Sequence, residues 1–250
     1  MKKLNLKSEP YNYDLTTDAF FKESIKVRQF KYGYRFSVDA VLLAAFVRPA
    51  KGDCIVDLGT GCGIIPLILA HRNRDVSIYG VEIQKELAWL AIINVRENNM
   101  ENRIKILMEN IKDIQPDSIK GPADIVVANP PYHRLNSGRI NPNLQKAAAR
   151  HEIKATLNDM VSAGSRLLKK SGKLIFIYPA DRITDLLFSM RFFGIEPKWI
   201  CMVHSYRNSP AKFIIIEGIK EAGPDAKVRH PLYIYKKDGS YSKEVEKMFI

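Results

Sequence analysis

The chain has 250 residues, 46% of them apolar and 26% charged, which is enough apolar material for a full core and argues against a disordered chain. Its apolar runs, such as Val38 to Val47 broken by Asp39, are too short to span a bilayer, and the polar start at Met1-Lys2-Lys3 lacks a signal core, so a cytoplasmic location with no membrane partner is expected. Thirty-nine Lys and Arg against 27 Asp and Glu leave a net charge of +12, a balance that suits a polyanionic partner.

One domain over residues 1–250 is expected, with extensions over 1–50 and 220–250. In the first extension, Gln29 precedes Gly33-Tyr34-Arg35-Phe36-Ser37-Val38-Asp39-Ala40-Val41-Leu42-Leu43, a polar turn entering an apolar helix. Ser37 or Asp39 reads as its cap, and Asp39 reads equally as a group facing a bound cofactor over which the extension packs. Cys54 to Leu58 reads as a short buried strand and 63–72 as a helix, which puts Gly59, Gly61 and Gly63 in a strand-to-helix turn. Strands follow over 76–82, 103–108 and 123–128, with helices over 84–99 and near 111–115 between them. Asn129-Pro130-Pro131-Tyr132 comes directly after the last of these strands.

Helices over 152–169 and 180–193 then alternate with strands over 172–178, 196–204 and 211–218. The final two strands are separated only by Ser205 to Pro210, too few residues for a crossover helix, and should be antiparallel. Beyond them a short strand over His230 to Tyr235, a turn at Asp238-Gly239 and a last helix carry no visible chemistry. The alternation predicts an α/β fold with a seven-stranded, mostly parallel sheet, an antiparallel last strand and helices on both faces, matching the Rossmann-like class I methyltransferase sheet. Cys54, Cys62 and Cys201 form no Cys-x-x-Cys pair and are odd in number, so reduced thiols are expected and no metal site.

Two motifs carry chemistry. Glycines at 59, 61 and 63 let a ligand approach the backbone, and Glu82 at the end of the next strand is placed to accept hydrogen bonds from a ribose diol, a layout for an adenosine-containing cofactor. A dinucleotide fingerprint would need its third glycine at position 64, which is Ile64, so S-adenosylmethionine fits better than NAD. The second motif suits methyl transfer to a planar exocyclic amine. Such a nitrogen is a poor nucleophile until its two hydrogens are held, and the Asn129 side-chain oxygen and Pro130 carbonyl supply two acceptors that the fixed φ of proline keeps in place. Tyr132 can stack on the ring.

From His133 to Lys173, nine Lys and Arg stand against Glu152 and Asp159, a local balance of +7 beside this motif. Arg134, Arg139, Lys146 and Arg150 are the candidate phosphate contacts for an RNA, whereas Lys169, Lys170 and Lys173 near a helix end read as a solvated face.

The chain resembles the bacterial tRNA adenine-N6 methyltransferases that modify the adenosine just 3′ of the anticodon in a valine tRNA. The resemblance covers nearly the whole chain and rests on Gly33 to Leu43, Asp57-Leu58-Gly59-Thr60-Gly61-Cys62-Gly63, Asn129-Pro130-Pro131-Tyr132 and Ala149-Arg150-His151-Glu152. It implies that the three loop glycines surround the methionine part of S-adenosylmethionine, that Asp57 lies beneath that end, and that Glu82 holds the ribose. It also implies that Asn110 takes the place of an acidic residue near the adenine, and that Asn129, which borders the cofactor, holds the target base with Tyr132. Other substrates of the same tetrapeptide stay open: guanine N2 in ribosomal RNA, a release-factor glutamine, and DNA adenine. So does a non-catalytic RNA-binding module that keeps the fold as scaffold. The oligomeric state is not readable.

Overall fold

The computed structural model describes residues 14–32, 35–130 and 155–250. Seven strands match the predicted set closely: β3 (Cys54–Leu58), β4 (Ser77–Val81), β5 (Ile104–Leu107), β6 (Ala123–Ala128), β7 (Leu168–Pro179), β8 (Ile195–His204) and β9 (Ala211–Lys220). They lie in the order β8-β9-β7-β6-β3-β4-β5, all parallel except β9, which runs antiparallel to β7 and β8. Two short strands, β10 (Lys227–Val228) and β11 (Leu232–Tyr233), add to the outer side of β8 and raise the sheet to nine. The sequence pattern gave β10 no signal because both of its residues are exposed.

Helices α1 (Val38–Phe46), α2 (Ile64–Arg72) and α3 (Lys85–Glu97) bury Leu42, Leu67, Ile68 and Leu90 against one face of the sheet. On the other face, α4 (Leu157–Leu167) and α5 (Ile183–Phe192) bury Val161, Leu167, Leu186 and Met190. Alternation along β3 divides its side chains between the two cores: Ile55 joins the first and Val56 and Leu58 the second. The helix expected near 111–115 is instead a turn followed by a single 3-10 turn at Pro116–Ile119, because proline suits the first position of a helix and cannot continue one. Helix α4 begins in a capping box, with the Thr156 hydroxyl accepting from the Asp159 amide and the Asp159 carboxylate from the Thr156 amide.

Ahead of the sheet, β1 (Leu15–Phe20) and β2 (Ile25–Phe30) form an antiparallel hairpin that the sequence reading did not anticipate. Its turn holds Phe21, Lys22 and Glu23 at φ of 51°, 53° and 68°, left-handed values that usually call for Gly or Asn, so no turn residue announces it. Burial of Phe21 between Arg72 and His71 offsets that strain.

The hairpin is tied to α3 by amide side chains. Asn94 Oδ1 accepts from the Arg28 amide at 2.8 Å, while its Nδ2 donates to the Arg28 carbonyl at 3.0 Å and to the Cys62 carbonyl at 2.9 Å. One turn later Asn98 repeats the pattern on Lys26, accepting from its amide and donating to its carbonyl. Asn94 is fully buried, so Asn94→Ala should destabilise the fold by about 2–3 kcal/mol in denaturant titration, since three backbone groups lose their partner. A loss below about 0.5 kcal/mol would contradict this.

Candidate active site

Strand register puts one row of residues at the carboxyl edge of the sheet. Leu58 pairs with Val81 and Ala128, and Val81 with Leu107, so Gly59, Glu82, Met108 and Asn129 each leave the sheet at the same level. The chain order reverses here, with β4 and β6 on either side of β3, and such a reversal opens the crevice in which α/β folds bind ligands.

The glycine loop crosses this crevice. Gly59, Gly61 and Gly63 have φ of 75°, 58° and 84°, all left-handed. Gly63 caps α2 and packs against α3, where an added Cβ would lie 3.2 Å from the Ala91 Cβ. The Gly59 and Thr60 amides both donate to the Val81 carbonyl, at 2.9 and 3.0 Å, which lashes the loop to β4. Glu82 completes the tether: its Oε2 accepts from the Gly61 amide at 3.0 Å and its Oε1 from the Gln84 amide at 2.9 Å. Burial raises the Glu82 pKa, and the backbone donors at Gln84, Gly61 and Ile83 pull it back.

Asp57, one residue before Leu58 on β3, is fully buried. Burial pushes its carboxyl up to about 7, with the nearby Thr60 hydroxyl lowering it and Glu82 raising it further. Both Asp57 oxygens and Thr60 Oγ1 are buried without a well-formed hydrogen bond among the described residues. Gly80 makes room for Thr60, because a Cβ there would fall 2.9 Å from both Cγ2 and Oγ1.

The remaining predicted residues divide. Asp39 is buried in the first turn of α1, its Oδ1 accepting from the Ser37 hydroxyl and from the Ala40 amide at 2.9 Å; the Ser37 hydroxyl is turned to Asp39 and caps no helix amide. Asn110 follows β5 and shapes the next turn, its side chain accepting from the Lys112 amide at 3.0 Å and its carbonyl from Asp113 and Ile114. Asn129 is half-buried and Pro130 buried directly after β6. Pro131, Tyr132, Arg134, Arg139, Lys146, Arg150, His151 and Glu152 lie outside the described residues.

A sequence profile described as the methyltransferase small domain matches residues 37–187, the stretch from α1 through the start of α5 that contains the whole crevice. The chain belongs to the methyltransferase small domain family. Curated relatives include proteins named tRNA1(Val) (adenine(37)-N6)-methyltransferase: that of Pedobacter heparinus is 29% identical over 90% of this chain and 93% of its own length. That of Porphyromonas gingivalis is 33% identical over 69% of each. Among solved structures, a predicted O-methyltransferase from Agrobacterium tumefaciens shares the fold at a TM-score of 0.68 and 19% identity, over 84% of this chain and 94% of that one. A geranyl diphosphate methyltransferase solved with S-adenosylmethionine aligns at a TM-score of 0.52 and 15% identity, over 72% of this chain and 84% of that one.

The residues of this methyltransferase fit the cofactor that its fold implies. A buried carboxyl and hydroxyl without hydrogen bonds suit a ligand bringing donors, and the tethered loop already exposes glycine backbone at the crevice. Asn94 and Gly80 support this loop and escaped the sequence reading; an Asn on the buried stripe of α3, beside Leu90 and Ala91, was the signal available for the first. Cys62 is an inert thiol, since burial pushes it up to about 12. Two cations of the +7 segment are used inside the fold: Arg166 donates to the Ile111, Lys112 and Ile114 carbonyls, and Lys169 pairs with Asp124. Among the described residues no helix is long and apolar enough to cross a membrane, and no three His, Cys, Asp or Glu gather as a metal site.

Proposed function

We propose that this methyltransferase uses S-adenosylmethionine to methylate the exocyclic N6 of an adenosine in the anticodon loop of a tRNA, in the cytoplasm. The observation that carries the reading is the start of Asn129-Pro130-Pro131-Tyr132 at the carboxyl end of β6, in one row with the glycine loop and Glu82. The name that the Pedobacter heparinus and Porphyromonas gingivalis relatives carry supports the same substrate.

In this reading the cofactor supplies an electrophilic methyl on a sulfonium. Gly59, Gly61, Gly63 and Asp57 hold its amino-acid end, Glu82 its ribose, and Asp39 and Asn110 border the site. Asn129 Oδ1 and the Pro130 carbonyl accept the two N6 hydrogens, which turns the nitrogen lone pair out of the ring plane, and Tyr132 stacks on the base. No group has to remove a proton first, because an aminium nitrogen is acidic once formed, so orientation and placed dipoles supply the acceleration. An anticodon loop offers its bases partly unstacked, which lowers the cost of turning one into the crevice.

Mass spectrometry of tRNA nucleosides from cells with and without the gene tests the substrate. N6-methyladenosine should disappear from one tRNA; loss of N2-methylguanosine from ribosomal RNA or of methylglutamine from a release factor instead would overturn the assignment. Glu82→Ala should weaken S-adenosylmethionine binding by about 1–3 kcal/mol in calorimetry, because the cofactor loses its acceptor and the Gly61 amide its tether. Parental affinity in that variant would remove Glu82 from the site.

A further inference from the structure

The sheet has a second chemical feature on the edge that carries Asn129. Strand β8 is parallel to β6, so His204 and the turn after it emerge at the carboxyl edge; the register sets Ile200 level with Ala128, so His204 lies three strand spacings, about 14 Å, to the side of β6 and about 13 Å beyond its end. The tail lies alongside: the Ile234 amide donates to the His204 carbonyl and the Tyr235 amide to the Ser205 carbonyl, each at 2.9 Å. These paired segments, residues 204–213 and 226–237, hold Arg207, Lys212, Lys227, Arg229, Lys236 and Lys237 and no Asp or Glu. Lys227 reaches Asp225 at 4.0 Å and Lys236 pairs with Glu246 at 2.9 Å, whereas Arg207, Lys212, Arg229 and Lys237 form no ion pair among the described residues.

Aromatic rings are set among the cations. Tyr206 is 45% exposed and backed by Tyr235 at 5.5 Å, which continues to Tyr241 at 5.5 Å and Phe249 at 5.1 Å. The turn beneath Tyr206 is closed by Ser209, whose hydroxyl accepts from the Tyr206 amide at 3.0 Å and donates to the Tyr206 carbonyl at 2.9 Å. A fixed, outward ring set among cations, of which Lys212 lies over Phe213 and Arg229 over Trp199, is the combination that holds single-stranded nucleic acid, the ring stacking on a base of any sequence and the cations meeting phosphates.

We propose that this edge is an RNA-docking surface, in which Tyr206 stacks on an unpaired base of the loop that delivers the target nucleotide, while Arg207, Lys212 and Lys237 contact its phosphates. The inference rests on the tRNA reading above and adds a contact surface outside residues 131–154.

The test uses the full chain and an unmodified tRNA transcript, measuring binding across salt concentrations and steady-state methylation. Replacing Arg207, Lys212 and Lys237 together by Gln should shrink the log–log salt slope by about 2–3, at roughly 0.7–0.9 per phosphate contact. KM for tRNA should rise while kcat and S-adenosylmethionine affinity hold. Tyr206→Ala should weaken tRNA binding by about five- to a hundredfold and Tyr206→Phe should restore it. If the parent methylates the transcript and the charge variant keeps the parental slope and KM, the surface is wrong and the tRNA reading stands. A parent that neither binds nor methylates tRNA overturns both.

Discussion

Asn129→Ala is expected to slow tRNA methylation by two or more orders of magnitude, about 3 kcal/mol or more of lost transition-state stabilisation, while S-adenosylmethionine affinity stays within about tenfold. The separation follows from position. Asn129 leaves β6 level with Glu82 on β4, whereas the Gly61 amide and Cys62 carbonyl of the glycine loop are held by Glu82 after β4 and by Asn94 on α3. In the proposed mechanism, removing the amide strips an acceptor from the nucleophile while Glu82 and Asn94 still tether the loop. Asn129→Asp keeps two acceptor oxygens and should retain partial activity. Single-turnover methylation of the tRNA transcript, paired with calorimetric cofactor binding, separates the two effects; a parental rate in the alanine variant would make the tetrapeptide structural.

The second large effect concerns pH. Burial carries the Asp57 carboxyl from its ordinary 3.8 to about 7 on folding, so between those values the folded cofactor-free chain holds a proton that the unfolded chain releases. Stability must then fall as pH rises from about 4 to 7, with a full cost of roughly 4 kcal/mol above that window at 1.36 kcal/mol per unit. Asp57→Asn has no proton to lose, so the stability difference between variant and parent should grow in the variant's favour across this window and level off above it. Denaturant titrations of both proteins at a series of pH values read that difference directly. Parallel stability curves would mean that the carboxyl is ionised, or solvated, at its buried position. Glu82 shifts in the same direction and is present in both proteins, so the difference reads Asp57 together with its coupling to Glu82.

Where the chain obeys simple periodicity, its structure was readable. Apolar runs at Ile55-Val56, Ile78 to Val81 and Ile125 to Ala128 are strands buried on both faces, and the short 205–210 link forces the antiparallel pair β8 and β9. The crevice was readable for the same reason, because motif residues that follow consecutive parallel strands are bound to converge on one edge. Failures came where local chemistry departs from usual signals. The hairpin turns through three non-glycine residues at positive φ, and what holds them there is the distant packing of Phe21 against α2. Asn110 stands where the resemblance expects a cofactor contact, yet its side chain is also engaged in shaping the following turn. Glu82 was legible as a ligand group but not as the clasp that holds Gly61, since hydrogen bonds to backbone amides leave no trace in residue order.

The Asn94 and Asn98 amides have a consequence for the solubility of the chain. Four residues along a helix advance about 6 Å and two residues along a strand about 6.8 Å, so side chains one helical turn apart can satisfy alternate residues of an extended edge. Asn94 and Asn98 do this for Arg28 and Lys26, and α3 thereby serves as a surrogate third strand for β1 and β2. A two-stranded hairpin is marginal by itself, and a bare row of amides and carbonyls invites pairing with another chain. By occupying that row the helix blunts a sticky edge, and it does so with neutral groups that add nothing to the positive field around a polyanion-binding protein.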